Sequence, residues 1–98
     1  MHRIEWTETA RRDIREIYAF IARDSAQYAR RVVDRITAAI DGARQFPLAG
    51  ALVPEWDEGN YREVFVGAYR IIYVFDGVVL RVVTVIHGAR QLPDHDNV

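Results

Sequence analysis

The sequence of 98 residues contains no cysteine, which excludes a disulfide framework and a thiolate zinc site. This fits a reducing compartment. No apolar run reaches the about 18 uncharged residues that a membrane-spanning helix needs. No N-terminal segment combines the basic start and the long apolar run of a signal peptide. We therefore expect one cytoplasmic domain, residues 1–98, that uses no metal or other cofactor.

Lysine is also missing, since all 13 basic residues are arginine. The formal net charge is -1, which argues against a protein that binds nucleic acid through a broad basic surface. We expect no direct DNA binding by the chain alone. Arginine stays protonated and offers phosphate or carboxylate a planar fork of donors. The basic residues are therefore suited to stabilising charge and poorly suited to act as a general base.

The apolar residues, 50% of the chain, are sufficient for a small core. Thr7 is typical of a helix N-cap, and the first helix continues to about Ala22. Asp24 or Ser25 caps a second helix that ends near Gln45, and the short connection makes the two an antiparallel hairpin. At helical spacing, the apolar stripes are Ala10, Ile14, Ile17, Tyr18 and Ile21 in the first helix and Ala29, Val32, Val33, Ile36, Ala39, Ile40 and Ala43 in the second.

Two aromatic residues stand apart from these stripes. Phe20 lies roughly a third of a turn away from the first stripe. We favour packing of Phe20 against a neighbouring loop, and the alternative is an exposed anchor for a partner protein. Trp56 lies in residues 47–60, a long loop for so small a domain, and long loops tend to be functional or mobile. We favour Trp56 folding back onto the sheet edge, and the alternative is again a partner contact.

Residues 61–90 hold most of the β-forming side chains. Asp76-Gly77 between two apolar runs predicts a two-residue hairpin, because both residues tolerate positive φ. Three consecutive antiparallel strands are predicted, at about 61–66, 69–75 and 78–87. With a short strand at residues 2–6, the fold class is α+β: an N-terminal strand and a helical hairpin packed on a small antiparallel β-meander. The polar tail, residues 92–98, is predicted to fray.

The hairpin register predicts which side chains share a face. A two-residue turn sets Ile72 opposite Arg81 and Arg70 opposite Val83. His87 has the parity of Arg81, so Arg70, Arg81 and His87 should point to the same side of the sheet. The aromatic face of the same strand then packs under the helices, and the arginine and histidine face is open.

The position of Arg62 depends on the turn at Gly67-Ala68. A two-residue turn puts Arg62 opposite Tyr73, on the helix side. A three-residue turn shifts the register by one and brings Arg62 to the face of Arg70. We favour the three-residue turn, because a buried arginine without a partner is costly.

Taken in order, the segments "WTETARRDIREIYAFIA", "FP" with a downstream Gly50, "YREVFVGAYRIIYVF" and "VVTVIHGAR" resemble the RelE/ParE superfamily of toxins from bacterial type II toxin–antitoxin systems, on the ParE side. The resemblance covers about residues 3–92. It implies a helical hairpin against a small antiparallel sheet, in agreement with the pattern of the residues.

The resemblance implies one of two activities, and the RelE-like one is ribosome-dependent cleavage of mRNA. Its residue pattern has two lysines on the second strand, arginines on the third strand and after the fourth, and a tyrosine near the C-terminus. Arg70 and Arg90 match the two arginines. Arg62 stands in place of the first lysine and Val64 in place of the second, and no tyrosine follows Arg90. The phosphate clamp is therefore only partly present.

RNA cleavage through the 2′-hydroxyl also needs a general base. Only His87, which titrates in the right range, and less plausibly Glu63 are candidates. If the chain is a nuclease, its catalytic residues are expected to be Arg62, Arg70, His87 and Arg90.

ParE-like members of the superfamily need no catalytic set, because they poison DNA gyrase, and the lysine-free second strand fits them better. They are held by an antitoxin whose C-terminal segment wraps the toxin, and an acidic segment would suit exposed arginines. We therefore expect a gyrase poison with no catalytic residues and a ParD-like antitoxin as partner. An inactive relative that only binds an antitoxin is a further alternative. Candidate antitoxin contacts are Phe20, Trp56, Arg62, Arg70 and Arg81.

Overall fold

Two helices lie on one face of a five-stranded sheet, in a computed structural model that describes residues 2–98. The strand order is β1-β5-β4-β3-β2. Neither helix of the described residues is long and apolar enough to cross a bilayer. The elements in chain order are β1 (Arg3–Trp6), α1 (Glu8–Ala22), α2 (Ala26–Gln45), β2 (Ala51–Leu52), β3 (Arg62–Val66), β4 (Tyr69–Phe75), β5 (Val79–His87) and a short 3-10 helix (His95–Asn97).

The α+β architecture is confirmed, with two additions at the edges of the sheet. Strand β1 pairs in parallel with β5, so the sheet is mixed rather than purely antiparallel. Strand β2 is a two-residue edge strand that was not predicted, and it pairs antiparallel with β3. The three strands of the predicted meander, β3, β4 and β5, are consecutive and antiparallel, and they form the centre of the sheet.

Both helices begin at a capping side chain. The Thr7 hydroxyl accepts a hydrogen bond from the Ala10 amide at 3.1 Å and donates one to the Val83 carbonyl at 2.9 Å. The cap therefore also ties the start of α1 to β5. Ser25, rather than Asp24, caps α2 and accepts from the Tyr28 amide at 3.0 Å. In each case an N–H group that the first helical turn cannot pair has an acceptor.

The main core lies between the helices and the sheet. Ile71 and Tyr73 of β4 are fully buried there against Ile36 and Ile40 of α2, so the prediction that the aromatic face packs under the helices is confirmed. The Tyr73 hydroxyl donates to a loop carbonyl, that of Pro47, at 2.8 Å. Burial raises the pKa of Tyr73, which keeps the hydroxyl a donor.

The connection between β4 and β5 is longer than predicted. Three residues, Asp76-Gly77-Val78, separate the strands, and Phe75 pairs with Leu80. The Asp76 carboxylate accepts from the amides of Val78 and Val79, both at 2.8 Å. The turn lies where Asp76-Gly77 predicts it, but the two-residue length is wrong, because this side chain satisfies the amides of a wider turn.

A β-bulge then shifts the pairing in the middle of β5. Tyr73 pairs with Val82, whereas the preceding residue, Ile72, pairs with Thr84. Val83 is the additional residue on the β5 side. Because strand side chains alternate between faces, one inserted residue moves every later side chain of β5 to the face opposite from the predicted one.

Because of the bulge, the side chains that share the face of Arg70 differ from the predicted set. Arg70 pairs with Ile86, and Arg81 pairs with Val74, so these two arginines do share a face. His87 pairs with Tyr69 and lies on the helix side of the sheet. The prediction that His87 shares the face of Arg70 is therefore wrong.

The turn at Gly67-Ala68 has two residues, so the prediction of a three-residue turn is also wrong. Val66 pairs with Tyr69, and Arg62 pairs with Tyr73 on the helix side. The arginine tolerates this position because its Nη1 donates to the Gly50 carbonyl at 2.8 Å. A backbone acceptor that the sequence did not reveal lowers the cost on which the three-residue turn was based, although the Nε of Arg62 stays buried without a partner within residues 2–98.

The second face of the sheet is covered, although the sequence predicts an open one. A second cluster of buried apolar residues lies there: Val53, Trp56, Ile72, Val83, Ile86 and Leu92. The Trp56 indole donates to the Pro93 carbonyl at 2.8 Å, and His95 stacks on Tyr61. Trp56 thus folds back onto the sheet, as favoured. The tail packs rather than frays, because Leu92 and the Pro93 carbonyl both have partners in the loop of residues 47–60.

Candidate partner-binding site

The residues predicted for a nuclease are distributed over three places. Arg62 lies on the helix side of β3 beside Gly50, and Arg70 is buried on the second face. His87 and Arg90 are exposed at and beyond the end of β5, where they line one cavity. Only His87 and Arg90 of the four are therefore brought together. Within residues 2–98, no group of three or more histidine and acidic side chains is placed to hold a metal ion.

All three guanidinium nitrogens of Arg70 donate hydrogen bonds inside the chain. Its Nε donates to Glu63 at 2.7 Å, and its Nη1 and Nη2 donate to the two oxygens of Glu55 at 2.7 and 2.9 Å. Arg70 is 7% exposed and Glu63 is 6% exposed. The hydrogen bonds to Glu55 and Glu63 raise the pKa of Arg70, and the bonds from Arg70 lower the pKa of Glu55. This ion cluster leaves Arg70 without a free fork for phosphate, and it holds Glu63 buried against the guanidinium.

Sequence reasoning missed Glu55. This residue lies in an acidic loop whose position over the sheet follows only from the burial of its neighbour, Trp56. The signal was a carboxylate directly before a tryptophan in a loop rich in proline and acid, "PEWDE". An apolar side chain that folds back brings its neighbour to the sheet with it, and Glu55 reaches Arg70 in this way.

The five expected antitoxin contacts differ in their accessibility. Trp56 and Arg70 are buried within the chain, so neither side chain is open to a partner in this structure. Arg62 is half-buried and bonded to a backbone carbonyl. Arg81 is partly exposed and pairs with Glu5 at 3.2 Å. Phe20 is 66% exposed, so the favoured packing of Phe20 against a neighbouring loop is wrong, because no loop of the described residues covers it.

Phe20 borders a cavity of about 420 Å³ between the C-terminal half of α1 and the end of β5. Ile17 of α1 and Tyr69 and Val85 of the sheet supply apolar lining, and Arg90 lies on the rim. We call this cavity the Phe20 groove. Its volume is in the range of cavities that bind small ligands or single partner side chains.

Asp13 and Thr84 fix α1 over the groove. The Asp13 carboxylate accepts from the Val85 amide at 3.0 Å and from the Thr84 hydroxyl at 2.5 Å. Strand β1 pairs with β5 only as far as Val82, so Asp13 supplies an acceptor to β5 just beyond the last β1 pair. The helix is therefore held at the free edge of β5 by a charge-assisted pair of hydrogen bonds.

His87 and Tyr69 form the wall at one side of the groove. Their rings meet edge to face with centroids 5.4 Å apart. The His87 Nδ1 accepts from the Ala89 amide at 3.0 Å, so the neutral imidazole carries its proton on Nε2. Arg90 lines the same cavity as this ring.

A second, smaller cavity lies on the other side of this wall. Its volume is about 180 Å³, and Tyr69 and His87 line it as well as the Phe20 groove. Ile21 of α1 and Tyr28 and Arg35 of α2 supply the opposite side. We call this cavity the Tyr28 pocket. Together the two cavities extend across the end of the helical hairpin.

Comparison with known proteins identifies the family. The family described as "ParE toxin of type II toxin-antitoxin system, parDE" matches residues 4–92. The chain belongs to this family of ParE toxins. The resemblance seen in the sequence is therefore confirmed, on the ParE side of the superfamily.

Two further similarities agree with this assignment. A solved structure described as the chromosomal ParDE TA system from P. aeruginosa has a chain that superposes with a TM-score of 0.74 at 19% identity, covering 89% of this chain and 96% of that one. At this identity the similarity concerns the fold. A Sinorhizobium fredii protein named "Putative toxin Y4kP" is 44% identical over 48 residues, which is 49% of this chain. The matched segment spans 50% of that relative.

Proposed function

We propose that this ParE-family protein inhibits growth by poisoning DNA gyrase, without catalytic residues of its own, and that a ParD-like antitoxin neutralises it. The choice of target rests on the hydrogen bonds that Arg70 makes within the chain. The arginine that an mRNA-cleaving relative would use on phosphate donates instead to Glu55 and Glu63 at 2.7–2.9 Å.

The placement of the other nuclease candidates supports the same choice. A general base and a phosphate clamp must both reach the same scissile group within hydrogen-bond distance. His87 and Arg90 line the Phe20 groove, whereas Arg62 lies by Gly50 on β3 and Arg70 is buried on the second face of the sheet. No single phosphate can be contacted by all four.

An antitoxin partner is supported by the family and by the surface. The P. aeruginosa structure is that of a ParDE system, and the fold of one of its chains is shared. The exposed arginines of this chain suit an acidic partner segment, because arginine forms charge-assisted hydrogen bonds with carboxylates.

The target is tested by presenting the purified chain to DNA gyrase and, in parallel, to translating ribosomes. We expect inhibition of supercoiling and no cleavage of ribosome-bound mRNA. In cells, induced expression should trigger a DNA-damage response and filamentation. Intact supercoiling together with cut mRNA would contradict the proposal and restore the nuclease alternative.

His87→Ala and Arg90→Ala serve as variants in the ribosome assay, since these two exposed residues are the nuclease candidates still grouped together. If the wild type did cut mRNA, loss of that cleavage in these variants would support the nuclease alternative. A chain with no effect on growth at high expression, yet with antitoxin binding retained, would instead identify an inactive relative.

A further inference from the structure

We propose that the two outer nitrogens of Arg70 form a binding site for a phosphate group, and that the Glu55 carboxylate occupies this site while the loop of residues 47–60 is closed. This autoinhibitory contact goes beyond the proposed function and depends neither on the target nor on cleavage of RNA. A phosphate held there would lie on the opposite face of the sheet from His87, so its binding would not assemble the residues expected of a nuclease.

The inner side of the ion cluster orients the guanidinium of Arg70. Its Nε donates to Glu63 at 2.7 Å, and the two residues are only 7% and 6% exposed. Glu63 belongs to β3 rather than to the loop, so it holds the guanidinium independently of the loop. The remaining nitrogens, Nη1 and Nη2, form a planar fork that can bind two oxygens of one phosphate or carboxylate.

The outer side of the cluster is occupied by a carboxylate that the loop supplies. Nη1 and Nη2 donate to the two oxygens of Glu55 at 2.7 and 2.9 Å. These are the paired contacts that a phosphate would make with the same fork. The Glu55 side chain is 45% exposed, whereas that of Glu63 is 6% exposed. Water screens so exposed an ion pair, and Glu55 can therefore be exchanged for another oxyanion.

The tail holds the loop closed over this site. Trp56, directly after Glu55, donates its indole N–H to the Pro93 carbonyl at 2.8 Å, and Leu92 is buried in the same cluster. Residues 53–61 and 91–98 contain no arginine and carry the side-chain carboxylates of Glu55, Asp57, Glu58, Asp94 and Asp96. Like charges in the two segments repel one another, so their contact depends on apolar packing and on the indole bond. Release of the loop would carry its carboxylates away from Arg70.

An exposed aromatic ring lies beside the fork. Phe65 pairs with Arg70 in the register of β3 and β4, shares its face of the sheet and is 60% exposed. Directly opposite residues of antiparallel strands have Cβ atoms about 4.5–5.5 Å apart. An aromatic side chain at that position is suited to stack on a nucleobase. We therefore expect the phosphate to belong to a nucleotide, either free or within a single strand.

The test titrates the full chain, by calorimetry, with inorganic phosphate, a nucleoside monophosphate and a single-stranded oligonucleotide. Glu55→Ala removes the competing carboxylate and retains the rest of the loop. We expect this variant to bind each probe at least about fivefold more tightly than the wild type, the factor that corresponds to about 1 kcal/mol for a screened ion pair. The tighter of the two nucleotide probes identifies the source of the phosphate.

Asp57→Ala is the matched control, because Asp57 is an exposed carboxylate of the same loop and is not a partner of Arg70. It should change the affinity for phosphate by less than about twofold at physiological salt, since a distant exposed charge is screened. Trp56→Phe retains the ring but removes the donor to Pro93, so it should give a smaller gain than Glu55→Ala. Circular dichroism of each variant establishes that the chain is folded.

Two further measurements locate the ligand. In Glu55→Ala, added phosphate should shift the guanidinium ¹⁵N resonances of Arg70, a measurement that requires no substitution of this buried residue. In the same background, Phe65→Ala should weaken binding of the monophosphate by at least about fivefold, the lower end of the loss expected for one stacked base. It should leave binding of inorganic phosphate unchanged.

The inference is overturned if Glu55→Ala binds phosphate no more tightly than Asp57→Ala, or if the shifted resonances belong to arginines other than Arg70. If Phe65→Ala left the affinity for the monophosphate unchanged, the assignment of a nucleotide would be wrong. The supercoiling assay tests the proposed function separately, so failure of this inference would leave that function unaffected.

Discussion

Replacement of Arg70 by leucine should destabilise the fold far more than any surface substitution. The change removes three hydrogen bonds and leaves Glu63, which is 6% exposed, beside an apolar side chain. Removal of one partner from a buried ion pair costs about 3–5 kcal/mol, because the remaining charge has lost its compensation. A domain of this size is stable by about 5–15 kcal/mol, so Arg70→Leu should remove a large part of the total.

The two glutamates should contribute unequally to this loss. Glu63 is buried, whereas Glu55 is partly exposed, so water screens its interaction with Arg70. Glu55→Gln alone should therefore cost no more than about 1 kcal/mol. The double variant Arg70→Leu/Glu63→Leu should be more stable than Arg70→Leu, because replacing a whole buried pair by apolar residues is often close to neutral.

Unfolding in urea, followed by circular dichroism, measures these differences. Arg81→Leu is the control, since Arg81 pairs with Glu5 at 3.2 Å and both are partly exposed, and it should cost less than about 1 kcal/mol. If Arg70→Leu cost no more than this control, the ion cluster would have no stabilising role. If the double variant were less stable than Arg70→Leu, the uncompensated charge would not be the source of the loss.

Three other changes can be followed by the same unfolding measurements. Arg70 lowers the pKa of Glu55 from its ordinary value of 4.5. This pair therefore stabilises the fold above pH about 4.5, and its contribution is lost as the pH falls through the lower, folded-state pKa. Glu55→Gln should flatten that part of the pH profile of stability, and an unchanged profile would contradict the assignment. Gly50→Ala should destabilise the fold by about 1–3 kcal/mol, because a Cβ there would overlap the Tyr73 hydroxyl. Gly42→Ala, in an open helical position, should stabilise the fold by up to about 1 kcal/mol. Equal effects at the two glycines would argue against the overlap. Thr7→Ala should cost about 1–2 kcal/mol because it removes the cap of α1 and its bond to β5, and Thr7→Ser should retain most of that stability.

Local signals predicted the elements well. The Thr7 cap, most of the helix stripes and the alternation along Tyr69–Phe75 depend on neighbours in sequence, and they are found in the structure. Tyr18, which was predicted to belong to the first stripe, is instead exposed. The side of the sheet that meets the helices followed correctly from that alternation, because Ile71 and Tyr73 are apolar enough to require burial.

The bulge at Val83 could not be predicted in the same way. The residues around it, "RVVTVIH", are apolar on both faces, since the helices cover one side and the second cluster the other. Alternation carries no information when both faces are buried. Val83 and Ile86 lie in the second cluster while Val82 and Val85 lie in the main core, a three-residue spacing that only the structure reveals.

The errors at the candidate site have a common physical cause. The partners of Arg62 and Arg70 are a loop carbonyl and a loop carboxylate, at Gly50 and Glu55, together with Glu63 on β3. Loop positions depend on the packing of distant side chains, and no periodic pattern encodes them. Exposure of the arginines was inferred from the cost of burying an unpaired charge. That cost is smaller once the loop supplies acceptors, although the Nε of Arg62 stays buried without one among the described residues.

The extra residue at Val83 also determines which side chains are exposed at the end of β5. Because the bulge inverts the alternation, His87 lies against Tyr69 beside the Phe20 groove and Ile86 faces the buried loop. In a relative that lacked one residue here, every side chain beyond the deletion would lie on the opposite face of the sheet. His87 and Ile86 would then exchange faces without any substitution. A single-residue insertion or deletion in β5 would therefore change which side chains border the Phe20 groove and which face the buried loop, with almost no change in the composition of the strand.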